Sequence, residues 1–157
     1  MVCIKERLLI VDDEPSIRTS LSLVLTEVGY SVRSAEDGFS ALRLIRQESP
    51  EVLLSDLNMP GMSGFELLSM VRRQFPAIQT IAMSGAFSGG EVPHGVDADA
   101  FYEKGSGMGM LLHILRIPPE MKRPSSQTSP HRGASLDCVR GALPKLSSPE
   151  LFCRCME

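Results

Sequence analysis

The sequence has little of several residue types that would define other classes of protein. It contains no tryptophan, two tyrosines and four cysteines among 157 residues. No apolar run approaches the roughly 20 residues that a membrane-spanning helix needs. The run at residues 8–11 ends in two aspartates, which is not typical of a signal peptide. We therefore expect a cytoplasmic protein with no membrane association.

The cysteines predict neither a disulfide framework nor a metal centre. Cys3 stands near the N-terminus, and the other three cysteines stand at position 138 or beyond. A zinc site of Cys138, Cys153, Cys155 and His131 is conceivable. However, the spacing of these residues matches no established zinc pattern, and we expect no zinc there.

Basic residues are not in excess, because the formal net charge is −3. Residues 1–117 hold 10 basic and 15 acidic side chains, a difference of −5, and residues 118–157 hold 6 and 4, a difference of +2. This balance does not favour binding to nucleic acid or to an anionic membrane. We therefore predict no direct DNA binding.

Composition divides the chain into two parts. Residues 118–157 contain six prolines and six serines, with apolar residues that follow no period. Such a composition is typical of a disordered segment. We predict one folded domain over residues 1–117 and a Pro/Ser-rich, disordered tail over residues 118–157.

Short apolar runs alternate with helical patterns through the first part. The predicted strands cover residues 8–11, 30–34, 52–54, 80–83 and 98–102. The first and third of these runs are continuously apolar, as in strands that are buried on both faces of a parallel sheet.

Between these runs lie segments with helical spacing. The first predicted helix begins at Pro15 and stops at Gly29. A second is built around Ala41, Leu42 and Ile45, and a third opens with Ser63 and Glu66 at the spacing of a capping box. A last helix is predicted over residues 108–116. Residues 87–97 are rich in glycine and include a proline, so we predict mostly loop there.

This alternation favours an α/β fold with helices on both faces of the sheet. Five strands of this spacing suit a flavodoxin-like, doubly wound parallel sheet with strand order 2-1-3-4-5. In such sheets, ligands bind beyond the carboxyl ends of the strands.

Acidic residues stand where ligands are expected to bind. Asp12 and Asp13 follow the first predicted strand, and Asp56 follows the third, which is its neighbour in the proposed order. Three carboxylates at close range repel one another unless a cation lies among them. Mg²⁺ prefers oxygen ligands of this kind, so we predict a magnesium site.

Two further side chains complete a set that suits phosphoryl transfer. Ser84 follows the fourth strand and Lys104 follows the fifth. A carboxylate can attack phosphorus and form an aspartyl phosphate. Such a transfer needs positioning and neutralisation of charge more than a histidine base.

Four separated motifs carry a family resemblance. Residues 11–15 read VDDEP, residues 56–64 read DLNMPGMSG, residues 83–85 read MSG, and residues 101–104 read FYEK. In this order and spacing, over about residues 7–117, the sequence resembles the receiver domains of response regulators in two-component signal transduction.

The resemblance implies a role for each site residue. Asp56 would accept a phosphoryl group from a sensor histidine kinase or a phosphotransfer protein. Asp12 or Asp13, with Asp56 and the backbone carbonyl of Asn58, would bind Mg²⁺. Lys104 would contact the phosphoryl group. Ser84 and Phe101 would form the switch: Ser84 would move toward the phosphoryl group, and Phe101 would change rotamer together with it.

The sequence departs from the family pattern at three places. The lysine is usually followed by proline, but Gly105 follows Lys104 here; the fourth helix is irregular; and no output domain follows. Residues 118–157 are too few for the usual DNA-binding output domain. We therefore expect a stand-alone regulator, a monomer or weak homodimer, that acts on an unknown protein target and is not itself a classical enzyme.

Two alternatives remain open. One is a Mg²⁺-dependent phosphohydrolase with an aspartyl intermediate. Such enzymes place two aspartates two residues apart after the first strand, whereas Asp12 and Asp13 are adjacent. The other is an adaptor whose binding does not depend on phosphorylation.

Overall fold

The computed structural model describes residues 6–86 and 93–116. The predicted tail lies outside these residues, and so do all four cysteines and His131, the residues considered for a zinc site. Within the described ranges, no helix has both the length and the apolar character that crossing a membrane requires.

Five strands and four helices follow one another along the described chain. The strands are β1 (Arg7–Val11), β2 (Ser31–Ala35), β3 (Val52–Asp56), β4 (Gln79–Ser84) and β5 (Ala100–Glu103). The helices are α1 (Pro15–Val28), α2 (Gly38–Gln47), α3 (Gly64–Gln74) and α4 (Met108–Arg116).

The strands form one parallel sheet with the order β2-β1-β3-β4-β5. The predicted topology is therefore confirmed. The register places Val11 beside Ser55, Asp56 beside Met83, and Ser84 beside Glu103. The carboxyl ends of β1, β3, β4 and β5 thus meet along one edge of the sheet.

Alternate residues of each strand face opposite layers of the core, as the two-residue period of a strand requires. Leu9 and Leu53 pack in a cluster with buried residues of α2 and α3. Leu8 and Leu54 pack in a second cluster with residues of α1 and α4. Among the described residues, two helices therefore cover each face of the sheet, which suits central strands that are continuously apolar.

The ends of the helices follow local sequence signals. Pro15 occupies the first turn of α1, and Gly29 ends the helix with a φ of 117° in the left-handed region. The capping box at α3 is present, because Ser63 accepts from the Glu66 N–H and the Glu66 side chain accepts from the Ser63 N–H. These predictions are confirmed.

Asp37 caps α2, and this contact carries a testable prediction. Its Oδ1 accepts a hydrogen bond from the Ser40 N–H at 2.7 Å, and this bond lowers the pKa of Asp37 below its ordinary value of 3.8. Asp37→Ala is expected to lower the free energy of unfolding by about 1 kcal/mol at neutral pH, measured by urea denaturation.

The lowered pKa sets the pH range of this effect. The stabilisation is complete above pH 3.8, the ordinary value, and is lost as the pH falls through the folded-state pKa. Asp37→Ser keeps an oxygen at the cap and is the control, with an expected loss of only a few tenths of a kcal/mol. An equal loss from both variants would contradict this role of the carboxylate.

The segment between β4 and β5 is irregular on both sides of residues 87–92, which lie outside the described part. Residues 93–97, the described part of the predicted loop, form turns and irregular chain, as predicted. Residues 98–99, where a strand was predicted, are irregular as well. Two carboxylates of this segment contact α3 or β4. Asp97 accepts from the Ser69 hydroxyl at 2.8 Å, whereas buried Asp99 accepts from the Thr80 N–H and lies 3.7 Å from the Arg72 guanidinium.

Candidate functional site

The strands bring the predicted polar residues to one edge of the sheet. Asp56 and Ser84 are the last residues of β3 and β4, and Asp12 and Lys104 directly follow β1 and β5. Backbone hydrogen bonds continue the ladder past the strands, since the Lys104 N–H donates to the Ser84 carbonyl at 2.9 Å. The position of each side chain is therefore set by the sheet.

Three carboxylates form a cluster at this edge. One oxygen from each of Asp12, Asp13 and Asp56 lies within 4.8 Å of the other two. Asp12 and Asp56 are buried, with exposed fractions of 0% and 4%, whereas Asp13 is exposed. The cluster therefore combines two desolvated carboxylates with one that reaches solvent.

The donor set and its spacing fit Mg²⁺. This ion takes oxygen ligands at 2.0–2.1 Å in an octahedron, so ligands on opposite sides of it are separated by about 4.2 Å. Carboxylate oxygens within 4.8 Å of one another need only small movements to reach that spacing.

Lys104 bridges the two buried carboxylates. Its Nζ lies 2.7 Å from Asp12 Oδ2 and 3.1 Å from Asp56 Oδ2. Burial acts to lower the pKa of Lys104, but the two carboxylates outweigh burial and raise it above 10.5. Burial also raises the pKa of Asp56 above 3.8, and the ammonium group opposes this shift. Lys104 is therefore a permanent cation at neutral pH.

Arg18 is a contributor to the site that the sequence patterns did not indicate. Its guanidinium donates to the backbone carbonyl of Asp12 at 2.6 Å, and the Glu14 N–H donates to Asp12 Oδ1 at 2.9 Å. Both contacts fix the chain where β1 turns into α1. The only available signal was the position of Arg18 in the first turn of the helix that follows the aspartates.

Ser84 and Asn58 contact each other across the site. Ser84 is fully buried, and its Oγ accepts from the Ala86 N–H at 3.1 Å and from Asn58 Nδ2 at 3.4 Å. The side chain of Asn58 thus reaches the predicted switch residue, whereas the sequence interpretation had used only its backbone carbonyl.

Phe101 lies in the core and not in the cluster of polar groups. It is 4% exposed and packs with Ala82 in the layer of α2 and α3.

Gly64 was also missed as a site residue. A Cβ there would overlap the carbonyl oxygen of Asp56 and lie 2.7 Å from Leu57 Cα. The start of α3 therefore packs directly on the backbone that carries Asp56.

Comparison with known proteins identifies the family to which this fold belongs. The family model described as "Response regulator receiver domain" matches residues 8–114. The chain belongs to this family. It is a receiver domain of the two-component response regulators, which are signalling modules and not classical enzymes.

Solved structures of similar proteins agree with this assignment. The chemotaxis response regulator CheY4 of Vibrio cholerae is 32% identical, with a TM-score of 0.66 over 71% of this chain and 96% of that one. The response regulator TrrA of Thermotoga maritima, solved with Mg²⁺ and BeF, is 31% identical, with a TM-score of 0.65 over 70% of this chain and 96% of that one.

Curated relatives include longer regulators. The transcriptional regulatory protein AfsQ1 of Streptomyces coelicolor is 40% identical over 73 residues, which are 45% of this chain and 32% of that protein. A probable transcriptional regulator of Guillardia theta is 45% identical over 69 residues, 44% of this chain and 27% of its own length. The receiver chain thus spans about a third or less of these relatives.

Proposed function

We propose that this receiver domain is a phosphorylation switch in which Asp56 accepts a phosphoryl group. The observation that supports this proposal best is the contact of Lys104 with both buried carboxylates, 2.7 Å from Asp12 and 3.1 Å from Asp56. In this arrangement the carboxylate of Asp56 can accept the phosphoryl group, and the ammonium group of Lys104 can neutralise its negative charge.

In the proposed reaction, a carboxylate oxygen of Asp56 attacks the phosphorus atom. A P–O bond to Asp56 forms while the bond from phosphorus to the donor breaks, and the bonding electrons leave with the donor. Lys104 and the Ser84 hydroxyl would contact the oxygens of the transferred group. These contacts supply positioning and charge neutralisation, which are the main requirements of phosphoryl transfer.

Mg²⁺ is the proposed cofactor. Asp12, Asp13 and Asp56, with the backbone carbonyl of Asn58, would hold it. The ion would neutralise the negative charge that collects where the phosphoryl group meets the carboxylates. Arg18 and the Glu14 N–H keep Asp12 in position for this role through the contacts described above.

The proposed donor is a phosphohistidine on a sensor histidine kinase or a phosphotransfer protein. The similar regulator TrrA has been solved in complex with the histidine kinase ThkA, and its chain is 31% identical to this one with a TM-score of 0.65. This likeness, together with the family membership, supports the same class of donor for this chain.

The proposed output is a shift between two conformations. Phosphorylation would draw Ser84 away from Asn58 toward the new phosphoryl oxygens, and Phe101 would repack in response. Such a switch requires differential stabilisation of about 5 kcal/mol to move from mostly off to mostly on. We propose a protein as the downstream target, with no direct DNA contact by this receiver domain.

The proposal is tested by phosphorylation with a small donor. Acetyl phosphate and Mg²⁺ are expected to add one phosphoryl group to the wild-type protein, measured by intact-protein mass spectrometry. Asp56→Asn is expected to remain unmodified, because an amide cannot form the acyl phosphate. Asp97→Asn is the matched control, since it removes an exposed carboxylate outside the site, and is expected to be modified like the wild type.

Other results would refute the proposal. Modification of Asp56→Asn to the same extent would place the phosphoryl group elsewhere. Rapid release of phosphate from many phosphoesters would indicate the alternative phosphohydrolase. Partner binding that is identical in wild type and Asp56→Asn, under phosphorylating conditions, would indicate the adaptor.

A further inference from the structure

A groove runs between the start of α2 and the outer face of α3. Its volume is about 690 Å³, which gives room for several side chains of another surface. The groove shares no lining residue with the acidic site. Residues that line it include Phe39, Met62, Glu66, Ser69, Met70 and Arg73.

The apolar part of the groove is exposed to solvent. Phe39 is 66% exposed, although it is a large aromatic residue. Met62 and Met70 beside it are only half-buried. Adjacent exposed apolar side chains of this kind mark surfaces that bind proteins, and methionine adapts its shape to whatever covers it. The groove would therefore be stabilised by a second protein surface.

The outer face of α3 carries a stripe of residues with opposite charges at its two ends. Glu66, Ser69, Met70 and Arg73 follow the spacing i, i+3, i+4 and i+7, so they lie along one side of the helix. Glu66 and Arg73 are separated by about 10.5 Å along the helix axis. They are too far apart to pair with each other, and Ser69 and Met70 lie midway between them.

Both charges are available to a partner. Within residues 6–86 and 93–116, the guanidinium of Arg73 has no hydrogen-bond or ion-pair partner. Glu66 is exposed and uses one oxygen, Oε2, for the capping box with Ser63, so its second oxygen is free. A protein that covers the groove would therefore need a positive group opposite Glu66 and a negative group opposite Arg73.

A second copy of α3 meets both conditions when it lies antiparallel to the first. With a twofold axis between Ser69 and Met70, Glu66 faces the partner's Arg73 and Arg73 faces the partner's Glu66. The patch is thus complementary to itself, as a twofold interface requires. A parallel arrangement would instead place like charges together. The small side chain of Ser69 at the crossing point allows the two helices to approach closely.

Phe39 lies where the same arrangement can bury it. Its neighbour Gly38 packs against Met62, because a Cβ on Gly38 would lie 2.6 Å from Met62 Sδ. Phe39 therefore stands near the start of α3. The twofold axis brings this position to the other end of the partner's α3, where the aliphatic stem of the partner's Arg73 can cover the aromatic ring.

We propose that the outer face of α3, together with Phe39, is a self-association surface on which two copies of this chain pack with their α3 helices antiparallel. Two ion pairs between Glu66 and Arg73 fix the register. One helix face and one aromatic ring are a small interface, so the dimer is weak and reversible. The inference goes beyond the proposed function, because it does not depend on phosphorylation of Asp56.

The test measures self-association of the full chain by sedimentation velocity, without a phosphodonor, at concentrations from about 10 μM to about 1 mM. The wild type is expected to form a reversible dimer. Glu66→Arg and Arg73→Glu each replace two opposite-charge pairs with two like-charge pairs. Each variant alone is therefore expected to raise the dissociation constant about tenfold or more.

An equimolar mixture of the two variants is expected to associate as strongly as the wild type. In the mixed dimer, both charges of one copy are positive and both charges of the other are negative, so two opposite-charge pairs form again. Loss of folding in either variant would not be repaired by mixing. The rescue therefore distinguishes a contact between copies from a structural defect.

Arg46→Glu is the matched control. Arg46 is exposed in the last turn of α2, as Arg73 is in the last turn of α3, and it does not line the groove. The substitution changes the net charge by the same amount as Arg73→Glu. The dissociation constant is expected to remain that of the wild type.

Three results would overturn the inference: a wild type that stays monomeric over the whole range, an Arg73→Glu protein that associates like the wild type, or a mixture that associates no better than its components. Circular dichroism checks the fold of Glu66→Arg, since this variant loses the capping box. If it does not fold, the comparison of Arg73→Glu with Arg46→Glu decides. None of these results would affect the proposed role of Asp56, which the reaction with acetyl phosphate tests separately.

Discussion

Gly64→Ala is expected to destabilise the protein by about 3 kcal/mol and to abolish phosphorylation of Asp56. The added Cβ would overlap the Asp56 carbonyl oxygen and lie 2.8 Å from its carbonyl carbon. These are backbone atoms, so no change of rotamer can relieve the overlap. Relief requires that α3 moves away from β3 or that the backbone of Asp56 shifts, and both changes disturb the site.

The measurement combines urea denaturation with mass spectrometry after treatment with acetyl phosphate and Mg²⁺. Gly109→Ala is the control, since Gly109 lies in α4 and a Cβ there would meet nothing within 4 Å. Alanine is expected to stabilise that helix by up to about 1 kcal/mol and to leave phosphorylation unchanged. A Gly64→Ala protein of normal stability and reactivity would show that the close approach of α3 to Asp56 is unimportant.

Lys104→Met is expected to lower the free energy of unfolding in EDTA by about 3 kcal/mol at neutral pH. The substitution keeps an aliphatic chain but leaves the buried carboxylates of Asp12 and Asp56 without their shared cation. Mg²⁺ is expected to restore most of this stability, because it replaces the lost positive charge. The variant is also expected to bind Mg²⁺ more tightly than the wild type, since the ammonium group no longer competes for the same oxygens.

The pH dependence separates this charge effect from a loss of packing. Asp56 already has a raised pKa, and without Lys104 its pKa rises further. The folded state therefore binds a proton more readily than the unfolded state, so the deficit of the variant is largest at neutral pH and shrinks as the pH falls toward 3.8. Lys104→Arg keeps the charge and is expected to retain most of the stability. A Lys104→Met deficit that is independent of both pH and Mg²⁺ would contradict the electrostatic explanation.

The fold was largely predictable because its signals are local and strong. The continuous apolar runs in β1 and β3, the proline at the start of α1 and the capping box of α3 each determine one element. The last strand was predicted over residues 98–102 but spans Ala100–Glu103. Ala98 is buried by packing against the core and not by pairing in the sheet, and hydrophobicity alone does not distinguish these two causes.

The site was predictable only in its outline. Strand order and residue type were sufficient to predict that Asp12, Asp56 and Lys104 lie close together. They did not show that Asp12 is buried while Asp13 is exposed, because this difference depends on how the chain turns after β1. The parts played by Arg18 and Gly64 depend on backbone contacts, which leave no periodic pattern in a sequence.

The two ends of α3 have a mechanical consequence. Gly64, its first residue, packs on the backbone of Asp56, and Arg72, about 12 Å further along the helix, reaches the carboxylate of Asp99. Ser69, between them, holds Asp97. A short helix bends little, so we expect a displacement of the Asp56 backbone to tilt α3. The tilt would move the segment that leads into β5, because Ser69 and Arg72 of α3 contact Asp97 and Asp99 of that segment.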